Sequence, residues 1–233
     1  MLVTNQADAI ASANFVHLSR AENEPLTDQI FPLLQEAYRR VGFSALDQNV
    51  PGERALVMAN SGEFFGDVVH MEGLEKYYVN MIRVPVALIH FDAVAFTAGR
   101  KFNISGWASI APYNVCVRRG IKAIEFATGG MKNVHLVNSY AQIFAMLKAG
   151  RCDIGVLPSS AWLDAQRLNV KGLRSLEPPL QTWPLFHYVH KSHIDIIPSL
   201  TRALRKMQNN GELRKNEDEF KNRVEYARRA ETD

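Results

Sequence analysis

The chain has 233 residues, a length that suits one large domain or two modest ones. Its 27 Lys and Arg residues and 24 Asp and Glu residues give a net charge of +3, and 47% of the residues are hydrophobic, which is typical of a globular protein. The small charge and the lack of a basic run give no indication of nucleic-acid binding. The longest apolar run, Val84 to Ile89, is far shorter than the roughly 20 residues of a membrane-spanning helix, so no membrane insertion is expected.

The first part of the chain predicts alternating strands and helices. Residues 1–13 are expected to be a disordered start. The elements that follow are a strand at 15–18, a helix capped by Thr27 and closed by Gly42, a strand at 44–48, a helix at 51–60 and a strand at 66–70. This β-α-β-α-β order is typical of a parallel sheet covered by helices.

A long extended segment, 84–97, leads to a second series of the same kind. Its elements are a strand at 114–118, a helix at 121–128, a strand at 134–137, a helix at 139–147, a strand at 153–157 and a helix from 159. The remaining elements are a proline-rich extended segment at 176–184, a strand at 186–189, an amphipathic helix at 198–208 and a charged C-terminal helix on the solvated surface.

This order predicts an α/β protein of two lobes, a clam-shell of mostly parallel sheets flanked by helices. The prediction places lobe 1 at 14–97 plus 186–233 and lobe 2 at 98–185, with hinge segments near 92–100 and 178–187. In such a fold a ligand lies between the lobes, at the C-terminal ends of the strands.

Two cysteines, Cys116 and Cys152, are too few for a disulfide framework or a zinc finger. They can pair once or remain two buried thiols, and the second interpretation is favoured because lone cysteines are mostly small core residues. The N-terminus shows no basic region followed by an apolar one, so no export signal is visible. Residues 11–13, Ala-Ser-Ala, do have the small-residue pattern that signal peptidase cuts after, and the residues alone leave the compartment open.

Several stretches occur in an order and spacing that point to one family. They are Pro51 to Leu56, Asn60 to Asp67, Leu74 to Pro85, Asn114 to Gly120 and Tyr140 to Val156. Together they resemble the family 3 extracellular solute-binding proteins, from about Phe15 to Leu213. The resemblance implies the type II periplasmic-binding fold and a periplasmic, non-enzymatic receptor for an amino acid or similar small polar solute. Its expected partners are that solute and the membrane permease of an ABC importer, and the chain is expected to be a monomer.

Three positions depart from the amino-acid binders of that family. Lys76 is the closest match to the arginine that holds the α-carboxylate, and lysine does not replace a bidentate arginine. Ile121 follows Gly120 where the family usually has threonine, and Pro158 stands where an aspartate binds the α-ammonium group. The identity of the solute is therefore open.

Polar groups at the ends of the predicted strands would face the cleft between the lobes. The candidate ligand-binding residues are Arg20, Glu22, Arg54, His70, Glu72, Arg118, Gly120, Ile121, Lys122, Tyr140, Ser159 and Ser160. Their cations outnumber their carboxylates, which favours an anionic or carboxylated ligand. Because side chains alternate along a strand, only one of Arg118 and Arg119 can face the cleft, and Arg118 is favoured as the last residue with strand geometry.

Other function classes have weaker support. His187 and His190 would face opposite ways on a strand and cannot share a metal, and no hydrolase, zinc-protease, phosphate-loop or dinucleotide motif is present, so no metal or cofactor is expected. One alternative is a dehydratase-like enzyme on the same fold, which would use Glu22, His70 and Glu72. Another is a ligand-sensing domain of a signalling protein, or a protein whose solute site has decayed.

Overall fold

Strands and helices alternate through residues 14–101 and 103–232, which the computed structural model describes. The strands are β1 (Asn14–Ala21), β2 (Phe43–Val50), β3 (Gly66–Met71), β4 (Met81–Thr97), β5 (Val115–Arg118), β6 (Val134–Val137), β7 (Ile154–Pro158) and β8 (Arg174–His190). The helices are α1 (Pro25–Arg40), α2 (Gly52–Ser61), α3 (Lys122–Thr128), α4 (Tyr140–Lys148), α5 (Ala161–Arg167), α6 (Ile197–Asn209) and α7 (Glu212–Thr232). The disordered start and the cleavage-site pattern predicted at 1–13 lie outside the described residues.

The strands join in one sheet with the order β2-β1-β3-β8-β4-β7-β5-β6. The β1, β2 and β3 strands are mutually parallel in one half, as are β5, β6 and β7 in the other. Between them, β4 and β8 run antiparallel to each other over 17 residues each and connect the two halves. The hinge segment predicted near 178–187 lies within β8, and the one near 92–100 covers the end of β4 and the residues after it. The α/β fold with helices flanking the sheet is confirmed.

The sequence explains the geometry of α1. Proline is preorganised for the first helical position, which Pro25 takes, and Arg39 and Arg40 lie in the last turn, where positive charge is favourable. The apolar face predicted from the spacing is buried through Ile30 and Leu34. The helix begins two residues before Thr27, so Glu24 and not Thr27 is its N-cap residue, and the Glu24 side chain makes no capping hydrogen bond.

A continuous apolar core runs through both lobes. In lobe 2, β5 and β7 are buried along their whole length, as expected for parallel strands covered on both faces. Trp162 of α5 packs against Phe96 of β4 with ring centroids 4.9 Å apart, and both side chains are fully buried. Lobe 2 is therefore anchored to the strand that connects it with lobe 1.

The structure corrects the interpretation of the two cysteines. Cys116 of β5 and Cys152, which precedes β7, form a disulfide with a Cα–Cα distance of 5.9 Å, within the normal range. The two residues are 36 positions apart in the chain but adjacent in space, because β5 and β7 are neighbouring parallel strands.

Helix α7 has a buried face, which the prediction of a solvated surface helix did not include. Its inward side chains are Leu213, Phe220, Val224 and Ala227. It packs against α1 of lobe 1, where Asn216 Nδ2 donates to the carbonyl of Gln29 at 3.2 Å, and against α5 of lobe 2. No helix in the described part of the chain is both long and apolar enough to span a membrane.

Candidate functional site

A cleft lies between the lobes at the C-terminal ends of β1, β3 and β5. Its lobe 1 wall includes Ala21, Glu24, Thr27, Gly52 and the β3 residues Asp67, Val69, His70 and Met71, and its lobe 2 wall is the segment 118–123. Phe91 of β4 and Leu185 of β8 complete it. Most of the surface that lines the cleft is apolar, so its few charged groups decide what it can bind.

Arg118 reaches across the cleft into lobe 1. Its Nη2 donates to the carbonyl of Glu22 at 2.8 Å, and its Nη1 lies 3.1 Å from both the carbonyl of Asn23 and Oε2 of Glu24. The guanidinium lies over the Tyr140 ring, 4.6 Å from its centroid. The cationic group expected to face the solute is therefore occupied by backbone and side-chain acceptors of lobe 1.

The Glu24 carboxylate accepts hydrogen bonds from side chains of three elements of lobe 2. Besides Arg118 of β5, the Tyr140 hydroxyl at the start of α4 donates to Oε2, and the Ser160 hydroxyl before α5 lies 3.5 Å from Oε1. Burial raises the pKa of Glu24 above its usual value, although the charge of Arg118 and the hydroxyl of Tyr140 act to lower it. Burial likewise raises the pKa of Tyr140 well above its usual value.

A second ion pair joins the lobes beside the first. The Lys122 ammonium contacts the carboxylate of Glu53 in lobe 1 and lies 2.9 Å from that of Glu125 in its own helix. The Tyr78 hydroxyl also donates to Glu53, at 3.1 Å. Burial acts to lower the pKa of Lys122, but the hydrogen bonds that its ammonium donates to the two glutamates outweigh this effect, and the pKa is raised. Lys122 is thus a charged group that is already neutralised.

Arg119 is the exposed cation of the cleft wall. Its backbone N–H donates to the carbonyl of Val137 at 2.8 Å, and its side chain lines the cleft. Within residues 14–101 and 103–232, no hydrogen bond or ion pair holds the Arg119 guanidinium. Arg118, the last residue of β5, is buried and pairs with lobe 1, whereas Arg119, directly after the strand, is exposed.

Asp67 and His70 form the polar part of the lobe 1 wall. The Ser19 hydroxyl donates to Oδ2 of the buried Asp67 at 2.6 Å, and His70 Nε2 lies 3.0 Å from Oδ1. The carboxylate is thus held in place by its own strand and by β1, and it leaves the His70 ring as the partly exposed polar group at this wall.

The structure brings together most of the residues predicted for the site. The cleft is lined by His70, Arg118, Gly120, Ile121 and Lys122, while Tyr140 and Ser160 reach it through Glu24. The Gly120 N–H donates to the Glu125 carboxylate. Glu22 contributes its backbone carbonyl to Arg118.

Four of the predicted residues lie away from the cleft lining. Arg20 forms ion pairs with Asp28 and Asp47 on the surface of lobe 1. Arg54 is exposed on α2, and Glu72 is exposed and paired with Arg83. Ser159 donates its backbone N–H to the carbonyl of Asp92 at 2.9 Å, where lobe 2 meets β4. Charges of lobe 1 thus hold Arg20 and Glu72 away from the cleft, and a backbone hydrogen bond to β4 fixes the chain at Ser159.

Three residues of the site were missed from the sequence. Glu24 lies two positions after Glu22, so the sequence analysis pointed to this stretch of the chain but named Glu22 and not Glu24. Asp67 is near the start of β3 rather than at its end, and Arg118 was favoured over Arg119 as the arginine that faces the cleft. The sequence did offer one signal for Glu24, because this carboxylate directly precedes Pro25, the first residue of helix α1.

Comparisons with known proteins agree with this fold. No protein-family model matches the chain. A curated protein of Shewanella oneidensis, described as uncharacterized, is 26% identical over 182 residues, which is 75% of this chain and 69% of the relative. Similar solved structures include a histidine kinase sensor domain with similarity to periplasmic binding proteins (TM-score 0.77, 13% identity, 89% of this chain and 96% of that one). Another is the substrate-binding protein of an amino acid ABC transporter (TM-score 0.71, 13% identity, 89% of this chain and 99% of that one). A third is an ancestral arginine-binding protein bound to glutamine (TM-score 0.70, 15% identity, 89% of this chain and 97% of that one). The chain therefore has the periplasmic-binding-protein fold that its sequence resembles.

Proposed function

We propose that this protein is a non-enzymatic, periplasmic receptor that binds a small polar, carboxylated solute between its two lobes and serves as the substrate-binding component of an ABC importer. The observation that carries the proposal is the exposed Arg119 guanidinium on the wall of an interlobe cleft. The similar structures of amino acid and arginine-binding proteins support the transport role.

The cleft offers a different environment for each part of such a solute. A carboxylate would accept charge-assisted hydrogen bonds from Arg119, which contribute roughly 1.5–3 kcal/mol. Val69, Met71 and Phe91 supply an apolar surface for the carbon chain, and His70 is available to a polar substituent. Since Lys122 and Arg118 are already neutralised by glutamates, one carboxylate suits the site better than two.

A thermal-shift screen of amino acids, monocarboxylates, dicarboxylates, polyamines and short peptides tests this function. A bound solute at 100 to 1,000 times its Kd stabilises the folded state by about 3–4 kcal/mol. For a chain of this length, each kcal/mol raises Tm by roughly 2–4 °C. We expect a carboxylated compound to raise Tm in the natural protein and to raise it less in Arg119→Gln. A library in which nothing raises Tm, or in which only uncharged compounds do, would contradict the proposal.

A second candidate function is ligand sensing, favoured by the similarity to a histidine kinase sensor domain. It requires the same solute site and differs in what receives the signal. Sequencing the complete reading frame separates the two functions, because a kinase or cyclase region continuous with this chain indicates a sensor. The dehydratase-like alternative has less support, since Glu72 is paired with Arg83 outside the cleft and Glu22 presents only its backbone to Arg118.

A further inference from the structure

We propose that Glu24 is an internal counter-ion that latches the two lobes together over the cleft when no solute is bound. The donors that hold it, a guanidinium and two hydroxyls, are the groups that would hold a carboxylate of a solute. Here the carboxylate belongs to the opposite lobe. This inference concerns the regulation of the proposed solute site, and its test uses protein without solute.

The donors of the latch all lie in lobe 2 and their shared acceptor lies in lobe 1, so the latch forms only when the lobes are closed. Arg118, Tyr140 and Ser160 come from β5, α4 and the start of α5, which are all elements of lobe 2. Glu24 is their shared partner on lobe 1, and Arg118 also binds the carbonyls that precede it. Three elements of one lobe thus converge on one short segment of the other, and any separation of the lobes breaks these contacts together.

Burial makes the latch cooperative. The Arg118 and Glu24 side chains are only 9% and 12% exposed, so neither charge is well hydrated in the closed molecule. A buried charge that loses its partner is strongly unfavourable, whereas two charges that both return to water are not. The pair therefore favours a fully closed or a fully open arrangement over intermediate ones.

The position of Glu24 fits this role better than a helix-capping role. It is the N-cap residue of α1, where a carboxylate would ordinarily accept a hydrogen bond from the first turn. Its side chain makes no such bond and extends to lobe 2 instead, while the Thr27 hydroxyl donates to its backbone carbonyl at 2.9 Å. The helix start has its own polar contacts, which leaves the Glu24 carboxylate to Arg118.

Other contacts between the lobes accompany the latch, including the packing of α7 against α5 described above. The Lys122–Glu53 ion pair lies at the same cleft, and the rings of Tyr77 and Phe126 stack with centroids 4.3 Å apart. The Glu53 side chain is 41% exposed, so water and salt screen its ion pair with Lys122 more than they screen the buried Arg118–Glu24 pair. The Arg118–Glu24 pair is the more deeply buried of these two ion pairs at the cleft.

Single-molecule energy transfer between dyes on the two lobes tests the latch. Val57 of α2 and Leu136 of β6 are exposed positions for Val57→Cys and Leu136→Cys labelling. Without solute, we expect the natural sequence to give one high-transfer population. Glu24→Gln keeps the size of the side chain and removes its charge, and we expect it to raise the open-to-closed ratio at least tenfold. Arg118→Gln should act similarly, and the double variant should open little further, because both changes remove one shared interaction.

The matched control is Glu36→Gln, which removes an equally well-paired glutamate of α1 whose partners, Arg39 and Arg40, lie in the same lobe. It should leave the transfer distribution unchanged. If Glu24→Gln does not fold, Tyr140→Phe provides the same readout by removing a single donor, with a smaller opening expected. A folded Glu24→Gln or Tyr140→Phe protein with the natural distribution would overturn the latch. Opening of these variants in a protein for which no solute is found would uphold the latch and count only against the proposed function.

Discussion

Gly52 and Gly120 meet backbone to backbone across the cleft. A Cβ atom built on Gly120 would lie 3.4 Å from the Cα of Gly52 and 3.1 Å from the backbone nitrogen of Glu53, closer than side chains normally approach. Gly120 also has a φ of +93°, a conformation that L side chains rarely adopt. The close approach of the lobes therefore depends on glycine at position 120 for two separate reasons.

We expect Gly120→Ala to keep the lobes apart and to weaken solute binding at least tenfold, because the added methyl group meets lobe 1 backbone that cannot yield. The measurements are the interlobe energy transfer described above and titration calorimetry with a solute found by screening. Gly52→Ala is the matched control, since its Cβ would meet Ala21 and Gly120 at the ordinary distances of 3.7 and 3.8 Å. Equal effects of the two substitutions would show that closure does not depend on this contact.

The proposed site predicts that Arg119→Gln weakens binding of a carboxylated solute about tenfold or more, through loss of a charge-assisted hydrogen bond. Titration calorimetry measures the change. Arg54→Gln removes an exposed arginine outside the cleft and should leave Kd unchanged. An unchanged Kd for Arg119→Gln, with the solute still bound in the cleft, would remove Arg119 from the site.

The sequence predicted the elements of lobe 2 closely. The strand expected at 114–118 is β5, and the helix expected at 121–128 is α3. The spacing of apolar residues and the positions of glycines determine such elements locally, without contacts from distant parts of the chain. The proline-rich segment at 176–184 and the strand at 186–189 proved to be one strand, β8, because pairing with β4 outweighs the local effect of its prolines.

The contacts that define the site were much harder to predict. Glu24 and Arg118 are separated by 94 positions, and they meet only because β1 and β5 end at the same cleft and the lobes close over it. Local patterns place a charge at a strand end but do not show which opposite charge will neutralise it. For that reason the sequence analysis favoured Arg118 as the cleft-facing arginine, although the structure pairs Arg118 with Glu24 and leaves Arg119 exposed.

The Cys116–Cys152 disulfide should stabilise lobe 2 appreciably. A closed loop with a sequence separation of 36 corresponds to about 4 kcal/mol in the chain-entropy treatment of the unfolded state. We therefore expect the Cys116→Ala, Cys152→Ala double variant to unfold at a Tm lower by roughly 8–16 °C. Calorimetry of the oxidised natural protein and the variant measures this. A difference of only 1–2 °C would show that packing of β5 against β7 alone accounts for the stability.

His187 predicts a specific dependence of stability on pH. It is fully buried, with its Nδ1 3.2 Å from the carbonyl of Val68 and its Nε2 2.8 Å from the Tyr38 hydroxyl. Burial lowers its pKa to about 4, against about 6.5 in the unfolded chain. Between these values the unfolded chain binds one more proton than the folded protein, so the free energy of unfolding is highest above pH 6.5 and falls as the pH drops towards 4.

At about 1.4 kcal/mol per pH unit, lowering the pH from 7 to 4.5 should remove about 2–3 kcal/mol of stability through His187 alone. His187→Gln can keep both hydrogen bonds without titrating, and urea unfolding of this variant should show a pH-dependent loss smaller by that amount. His135→Gln, which replaces an exposed histidine of β6, is the matched control and should retain the full loss. Identical pH slopes for His187→Gln and the natural protein would mean that the His187 ring becomes protonated without unfolding the lobe 1 core around Tyr38.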